Sequence, residues 1–369
     1  MKKSRIGVLT SGGDCAGLNP AVKSIVVAAT DERVQREHGV EIEVLGLKDG
    51  WRGLLNAEPS GPKFEENVWP LDQKTVRTWD RYGGTYLGTS RTNPFDPKND
   101  RSKLAADNIR KLGIDGLIAI GGDDTIGAAI KLAQLGVNVV GIPKTIDKDL
   151  PETDYSLGFE TALNVIVEEI DRLRTTAGSH HRVFVVEIMG RTAGWLGLEG
   201  GEAAGADFIL IPEFEFSMDR LNELLLAKYK AGAKYQMIAA SEGAKPAGHG
   251  EIYKSDQVDS FGHRILGGLG DWLADEITKG TKLETRSVVL SHLQRGGAPC
   301  AYDRRMGKYF GIAAVSMVLK GDFGKMVCYK NGRISNVPFE KVKGRLSLVD
   351  PETQYDKERY CGRRMLPGI

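Results

Sequence analysis

The chain has 369 residues, 41% hydrophobic and 27% charged, a balance that supports a full apolar core and leaves room for two domains of ordinary size. Lys plus Arg number 50 against 49 Asp plus Glu, a formal net charge of +1, which excludes a general nucleic-acid or membrane-surface binder; any basic patch must be local. Cys15, Cys300, Cys328 and Cys361 are the 4 cysteines and form no CxxC pair, which argues against a zinc site or a disulfide framework and fits a reducing cytoplasm.

The sequence opens MKKSRIGVLTSGGD, a short basic run leading into an apolar strand over 6–10. That run is too short for a signal peptide or a membrane span, so neither is expected. After the doublet Gly12-Gly13, Asn19 reads as an N-cap and Pro20 as the first residue of a helix carrying Val22, Ile25, Val26 and Ala29. Residues 92–101, polar with two prolines, read as an exposed loop. The runs GLIAI (116–120), NVVGI (138–142), VFVVEI (183–188), FILI (208–211), QMIAA (236–240) and SVVLS (287–291) read as strands buried on both faces. Between them, 159–174 places Leu163, Ile166, Val167, Ile170 and Leu173 at helical spacing, and 219–230 and 304–319 are similar. The tail from about 345 is polar and has no clear pattern. Strand alternating with helix predicts an α/β, mainly parallel architecture. Glycine, at 46 residues well above a usual share of about 7%, falls in doublets after apolar runs rather than in low-complexity segments.

The chemically useful groups follow the strand ends. Gly13 and Asp14 follow the first; Asp123 and Asp124 follow GLIAI; Lys144, Thr145 and Asp147 follow NVVGI. Met189, Gly190 and Arg191 follow VFVVEI, Glu242 follows QMIAA, and His292 and Arg295 follow SVVLS. Open α/β sheets bind ligands outside the carboxyl ends of their strands, so these groups are candidates for one site.

Each motif also has a plain structural reading. TSGGDCAGLNPA can present backbone N–H groups to a phosphate, but it is neither GxxxxGK[ST] nor GxGxxG, and a tight turn also explains it. Adjacent carboxylates in GGDDT repel each other unless a cation or donor is near; a magnesium ion shared with substrate phosphate would satisfy Asp123, and solvated residues favouring a helix dipole are the alternative. In PKTIDKDL an Asp can take a proton from an attacking hydroxyl while a Lys neutralises the transferring group; an Asp-capped turn is the alternative. The arginines of EIMGRTAGW and HLQRGG suit bidentate phosphate contacts, although a lone Arg is commonly a surface residue.

Taken in order across residues 6–304, GVLTSGGDCAGLNPA, GGTYLGTSR, GGDDT, PKTIDKD, TDYSLGFETAL, EIMGRTAGW, IPE and LQRGGAPCAYDR closely resemble the phosphofructokinase family, which phosphorylates the 1-hydroxyl of fructose 6-phosphate. The resemblance implies two similar Rossmann-like α/β domains with the active site in the cleft between them. The first, 1–158 plus about 294–344, would bind the donor, and the second, 159–293 plus about 345–369, fructose 6-phosphate. It implies Asp123 as the Mg2+ ligand and Asp147 as proton acceptor, with Gly13, Arg91 and Lys144 on the donor. Thr145, Ile146, Met189, Gly190, Arg191, Glu242, His292, Leu293, Gln294 and Arg295 would contact the sugar phosphate, joined by Arg182 and Arg286 from a neighbouring subunit. The resemblance thus implies a homodimer or homotetramer, with pyrophosphate or a nucleotide as second substrate, and a place in glycolysis.

Two departures bear on the donor. ATP-using relatives carry GGDG where this chain has Asp124, and bacterial ATP enzymes commonly carry PGTID where it has Lys144. A carboxylate in that space repels an α-phosphate; two like charges about 4 Å apart at an effective dielectric near 20 repel by roughly 4 kcal/mol. Lys144 can neutralise a small dianionic leaving group. The pair resembles the pyrophosphate-dependent branch, whose reaction runs usefully in both directions. An ATP-dependent enzyme tolerating Asp124, another acceptor such as sedoheptulose 7-phosphate, a non-catalytic subunit, and a lipid or NAD kinase are the competing readings. Further departures are Lys148, where many relatives have Asn or Gly, and Ser291, where Gly is frequent.

Overall fold

The apolar run at 6–10 is the buried half of a nine-residue strand, Lys2–Thr10, in a computed structural model that describes residues 2–250, 252–258 and 264–363. Parts of the second-domain expectation that fall on 251, 259–263 and 364–369 lie outside the described residues. The chain divides into two units, one formed by Met1–Ile146, Leu150–Thr161 and Arg295–Leu346, the other by Asp147–Asp149, Ala162–Gln294 and Ser347–Ile369. Asp147–Asp149 thus group with the second unit, whereas the resemblance places them in the first. The reason is local: Ser347 N–H donates to Asp149 O at 2.7 Å and Lys148 pairs with Glu199.

The first unit holds a seven-stranded sheet in the order Arg333–Pro338, Lys325–Lys330, Val139–Pro143, Gly116–Gly121, Lys2–Thr10, Val40–Leu47, Val68–Leu71. The five inner strands are parallel and both edge pairs antiparallel. From Lys2–Thr10 the chain builds outward through 40–47 and 68–71, then crosses to 116–121 and 139–143 on the other side. The order reverses between Lys2–Thr10 and Gly116–Gly121, which opens a crevice beyond their carboxyl ends. Leu9, Leu45, Leu117, Ala119, Ile126 and Val139 belong to the apolar cluster that anchors this sheet.

The helix predicted from Pro20 is Leu18–Ala29, and its N-cap is Gly17, with no side-chain cap. Asn19 is instead buried: its Nδ2 donates to Tyr82 O at 2.9 Å and Gly83 O at 3.0 Å, and its Oδ1 accepts from Tyr86 N–H at 2.9 Å. Asn19 therefore staples the GGTYLG segment to the first helix, a long-range role that the N-cap rule does not foresee. Helix Ala301–Lys320, expected at 304–319, packs on Leu18–Ala29. Cβ atoms at Gly307 and Gly311 would lie 2.8 Å from Pro20 and Ser24 side chains, so these glycines let the helices touch. Within 92–101, Phe95–Asp96 and Asn99–Asp100 pair as a short hairpin; 97–100 are exposed, as expected, while Pro94 is buried.

The second unit carries an all-parallel sheet in the order Thr285–Val289, Val183–Ile188, Gln236–Ser241, Phe208–Leu210. Its last strand starts two residues earlier than SVVLS suggests, and Ser291–Arg295 is a 3-10 turn. Helices Phe159–His180 and Met218–Lys230 match or extend the predicted pattern, Leu269–Thr281 is a further helix that the sequence reading did not name, and Trp195–Ala203 packs on 208–210 and 236–241. The tail without pattern is docked: Tyr355 and Tyr360 are buried, Tyr355 O–H donates to Ile209 O at 2.5 Å, and Ile209 N–H donates to Tyr360 O at 2.7 Å. Its signal is two isolated tyrosines, which periodicity cannot register. No helix among the described residues is long and apolar enough to cross a membrane.

Candidate active-site groups

In the first unit, Thr10 pairs with Ile120 at the carboxyl ends of adjacent strands, so the 11–14 and 122–124 turns emerge side by side. The first turn is zipped to the 88–91 segment: Gly12 N–H donates to Ser90 O at 3.3 Å, and Thr89 Oγ1 donates to Gly12 O at 2.6 Å. Arg91, at the end of that segment, is exposed. Lys144 follows the neighbouring strand and is only 3% exposed, its Nζ donating to Gly13 O. Arg295 donates from Nη1 to Asp14 O at 3.1 Å, and a Cβ on Gly13 would sit 2.6 Å from that nitrogen. Two cations therefore flank one glycine turn, a cradle suited to a polyanion. Arg295, expected on the sugar phosphate, lies in this unit against the 11–14 turn.

Asp123 and Asp124 form the first turn of helix Asp123–Gln134, whose N-cap is Gly122. Asp123 is exposed and Asp124 half-buried. Their position favours negative charge through the helix dipole, as the plain reading holds, and it also faces Asp123 outward at the reversal of strand order.

In the second unit, Met189, Gly190 and Arg191 leave the carboxyl end of Val183–Ile188 in a tight turn. Arg191 has φ +53° and Gly190 φ +146°, a conformation that costs an ordinary residue of order 1–3 kcal/mol. Glu242, beyond the adjacent strand, holds it: its Oε1 accepts from Gly190 N–H at 3.3 Å and Arg191 N–H at 3.1 Å. Met189 N–H donates to Gln294 Oε1 at 2.9 Å. Burial first, with Asp147 and Glu187 nearby, pushes the Glu242 carboxyl up to about 7 against the pull of those N–H groups. Asp147 itself is 7% exposed. His292 is exposed, with Nδ1 3.0 Å from Ser291 Oγ, and Leu293 is 60% exposed. Ser291 has φ +44°, which explains why glycine suits that position.

Arg182 and Arg286 lie elsewhere, at the amino ends of Val183–Ile188 and Thr285–Val289. Glu284 bridges them, at 2.8 Å to Arg182 and 2.6 Å to Arg286. Six residues of strand, about 20 Å, separate Arg182 from the Met189–Arg191 turn, and Arg286, level with Phe184, is nearer by about two residues.

Sequence reasoning missed the groups that hold these turns. Asp303, 0% exposed, accepts from Tyr155 O–H at 2.5 Å, Gly158 N–H at 2.6 Å, Thr161 N–H at 2.9 Å and Thr161 Oγ1 at 2.6 Å. It ties TDYSLGFET to CAYDR, two motifs whose polar residues have no evident reason in the sequence. Glu213 Oε1 accepts from Gly194 N–H at 2.8 Å and Val349 N–H at 2.9 Å. Neither carboxylate carries a clear local signal: apart from the Cys300 thiol beside Asp303, the partners named are remote in sequence.

The family model for phosphofructokinase matches residues 5–318. A Dictyoglomus thermophilum protein named pyrophosphate--fructose 6-phosphate 1-phosphotransferase is 49% identical over 95% of this chain and 96% of its own. An ATP-dependent 6-phosphofructokinase from Chloroflexus aurantiacus is 41% identical, over 95% and 94%. The crystal structure of a pyrophosphate-dependent phosphofructokinase from Marinobacter aquaeolei, 22% identical, superposes with a TM-score of 0.80 over 99% of this chain and 89% of that one, a likeness of fold. With its motifs, its α/β fold and these matches all in agreement, the chain belongs to the phosphofructokinase family.

Proposed function

We propose that the protein transfers a phosphoryl group from pyrophosphate to the 1-hydroxyl of fructose 6-phosphate, giving fructose 1,6-bisphosphate and phosphate, in either direction. The observation that carries this reading is the donor turn. Asp124, in the first helical turn, stands where ATP-using relatives have glycine, and Lys144, buried and donating to Gly13 O, where bacterial ATP enzymes commonly have it. They suit a small polyanion without a nucleoside. In this reading the first unit serves the donor and the second the acceptor.

Asp147 accepts the proton of the 1-hydroxyl as its oxygen attacks phosphorus, and the Lys144 ammonium offsets the charge that builds on the departing phosphate. The Met189–Arg191 turn, held by Glu242, presents N–H groups and a guanidinium to the acceptor. Among the described residues no three His, Cys, Asp or Glu side chains converge as a metal site. A magnesium ion that takes most of its ligands from phosphate oxygens and water needs only one or two carboxylates, and exposed Asp123 fits that need. Bound there, it would supply charge neutralisation on the donor.

Arg182 and Arg286, at the amino ends of strands whose carboxyl end carries the Arg191 turn, support a reading in which a second copy of the chain provides them. Phosphorus NMR on a reaction with pyrophosphate, magnesium and fructose 6-phosphate tests the proposal. It predicts paired growth of the phosphate and bisphosphate signals; phosphate alone would mean hydrolysis, and sedoheptulose 7-phosphate consumed in preference would move the acceptor.

A further inference from the structure

Lys148 follows the proposed base in sequence and adopts φ +55°, a left-handed conformation that Gly and Asn accept readily and lysine does not. The Asn or Gly of many relatives fits such a backbone without cost, so this lysine must be held by something. Its Nζ lies 2.6 Å from Glu199 Oε1 and 5.0 Å from the centre of the Trp195 ring. Both partners sit on helix Trp195–Ala203, which follows directly on the Met189–Arg191 turn. The Lys148 and Glu199 side chains are 22% and 33% exposed, so solvent screens the pair less than a surface one.

The contacts close a ring. Trp195 Nε1 donates to Ser347 O at 3.0 Å, and Ser347 N–H donates to Asp149 O at 2.7 Å, which returns to the turn that carries Asp147. The same Glu213 oxygen holds Gly194, at the start of the helix, and Val349, two residues beyond Ser347.

We propose that Lys148 is a positioning residue, whose ammonium, fixed by Glu199 and Trp195, locks the 147–149 turn to the helix that follows the Arg191 turn. The base and the acceptor-binding backbone then keep one spacing through the catalytic cycle. This rests on the reading of Asp147 as proton acceptor. Lys148 acts through Asp147 and needs no contact with either substrate.

Lys148→Asn keeps a side chain suited to the left-handed backbone and removes the ammonium; Glu199→Gln removes its partner and leaves the turn itself untouched. Each is expected to lower kcat about tenfold, within the range that a small misplacement of a reacting group produces, with KM for fructose 6-phosphate little changed. The double variant should be no slower than either single one, and Lys148→Arg, which can keep the ion pair and the stacking, should recover most of the rate. Wild-type kcat in both single variants would overturn the proposal. A raised KM for pyrophosphate in Lys148→Asn with Glu199→Gln unaffected would also overturn it, because it would make Lys148 a direct donor contact. Asp147→Asn serves as the separate control. If it keeps full turnover, the base reading falls and the positioning role with it; if it is inactive while the Lys148 and Glu199 variants are normal, only the positioning role falls.

Discussion

Glu242 Oε1 accepts the backbone N–H of Arg191 at 3.1 Å, so a carboxylate expected to touch the sugar also fixes the shape of the Met189–Arg191 turn. Its pKa makes the arrangement sensitive to pH. The carboxyl is raised from 4.5 to about 7, chiefly by burial. As pH rises, the unfolded chain releases this proton first, so between about 4.5 and 7 the folded state keeps a proton that the unfolded state has lost. Stability from this group is full below 4.5 and is lost as pH climbs through 7, by on the order of 3 kcal/mol. Urea melts at pH 5, 6, 7 and 8, in about unit steps, should show Glu242→Gln losing less stability than the wild type across that window. Parallel curves would contradict it.

Asp303 should matter more to the fold than any group proposed for the chemistry. Its carboxylate accepts five hydrogen bonds, one of them from the Cys300 thiol, with no exposure, and burial raises the Tyr155 hydroxyl well above its ordinary value, keeping it a donor. Asp303→Ala strands these donors and should cost about 3 kcal/mol or more, while Tyr155→Phe removes one bond and should cost about 1–2 kcal/mol. Denaturant midpoints check both.

Asp147→Ala should abolish most turnover while fructose 6-phosphate still binds, as read by calorimetric titration. Normal pyrophosphate-dependent turnover in that variant would remove Asp147 from the role of base.

Arg182 and Arg286 give a test of assembly. If a second copy supplies them, chains carrying Asp147→Ala and chains carrying Arg286→Ala, each nearly inactive alone, should regain part of the activity when refolded together. No recovery would place the arginines in the service of their own chain.

Much of the architecture was legible because parallel strands buried on both faces write themselves as continuous apolar runs. GLIAI and VFVVEI mark their strands to within a residue, and the groups after them lie at the carboxyl ends. What was not legible depended on partners distant in sequence. Asn19 fits an N-cap locally yet spends its side chain on residues 82–86. Arg295 follows the second unit's last strand and its turn but packs on Asp14, 281 positions away. Asp303 and Glu213 have little local signature, since hydrogen bonds to groups remote in sequence leave no periodicity. Lys148 could be noticed as a departure, but its left-handed backbone and its partner Glu199 could not.

Donor choice tests the central claim, and Asp124→Gly refines it. The variant should admit ATP only in part, because Lys144 still occupies the turn; no gain at all would mean that Asp124 alone does not exclude the nucleotide. The most direct measurement is the initial rate with fructose 6-phosphate and magnesium, comparing pyrophosphate with ATP at matched concentrations on the wild-type protein. Turnover with pyrophosphate and little with ATP is the predicted result. Turnover with ATP and none with pyrophosphate would leave the family intact and contradict donor selection by Asp124 and Lys144.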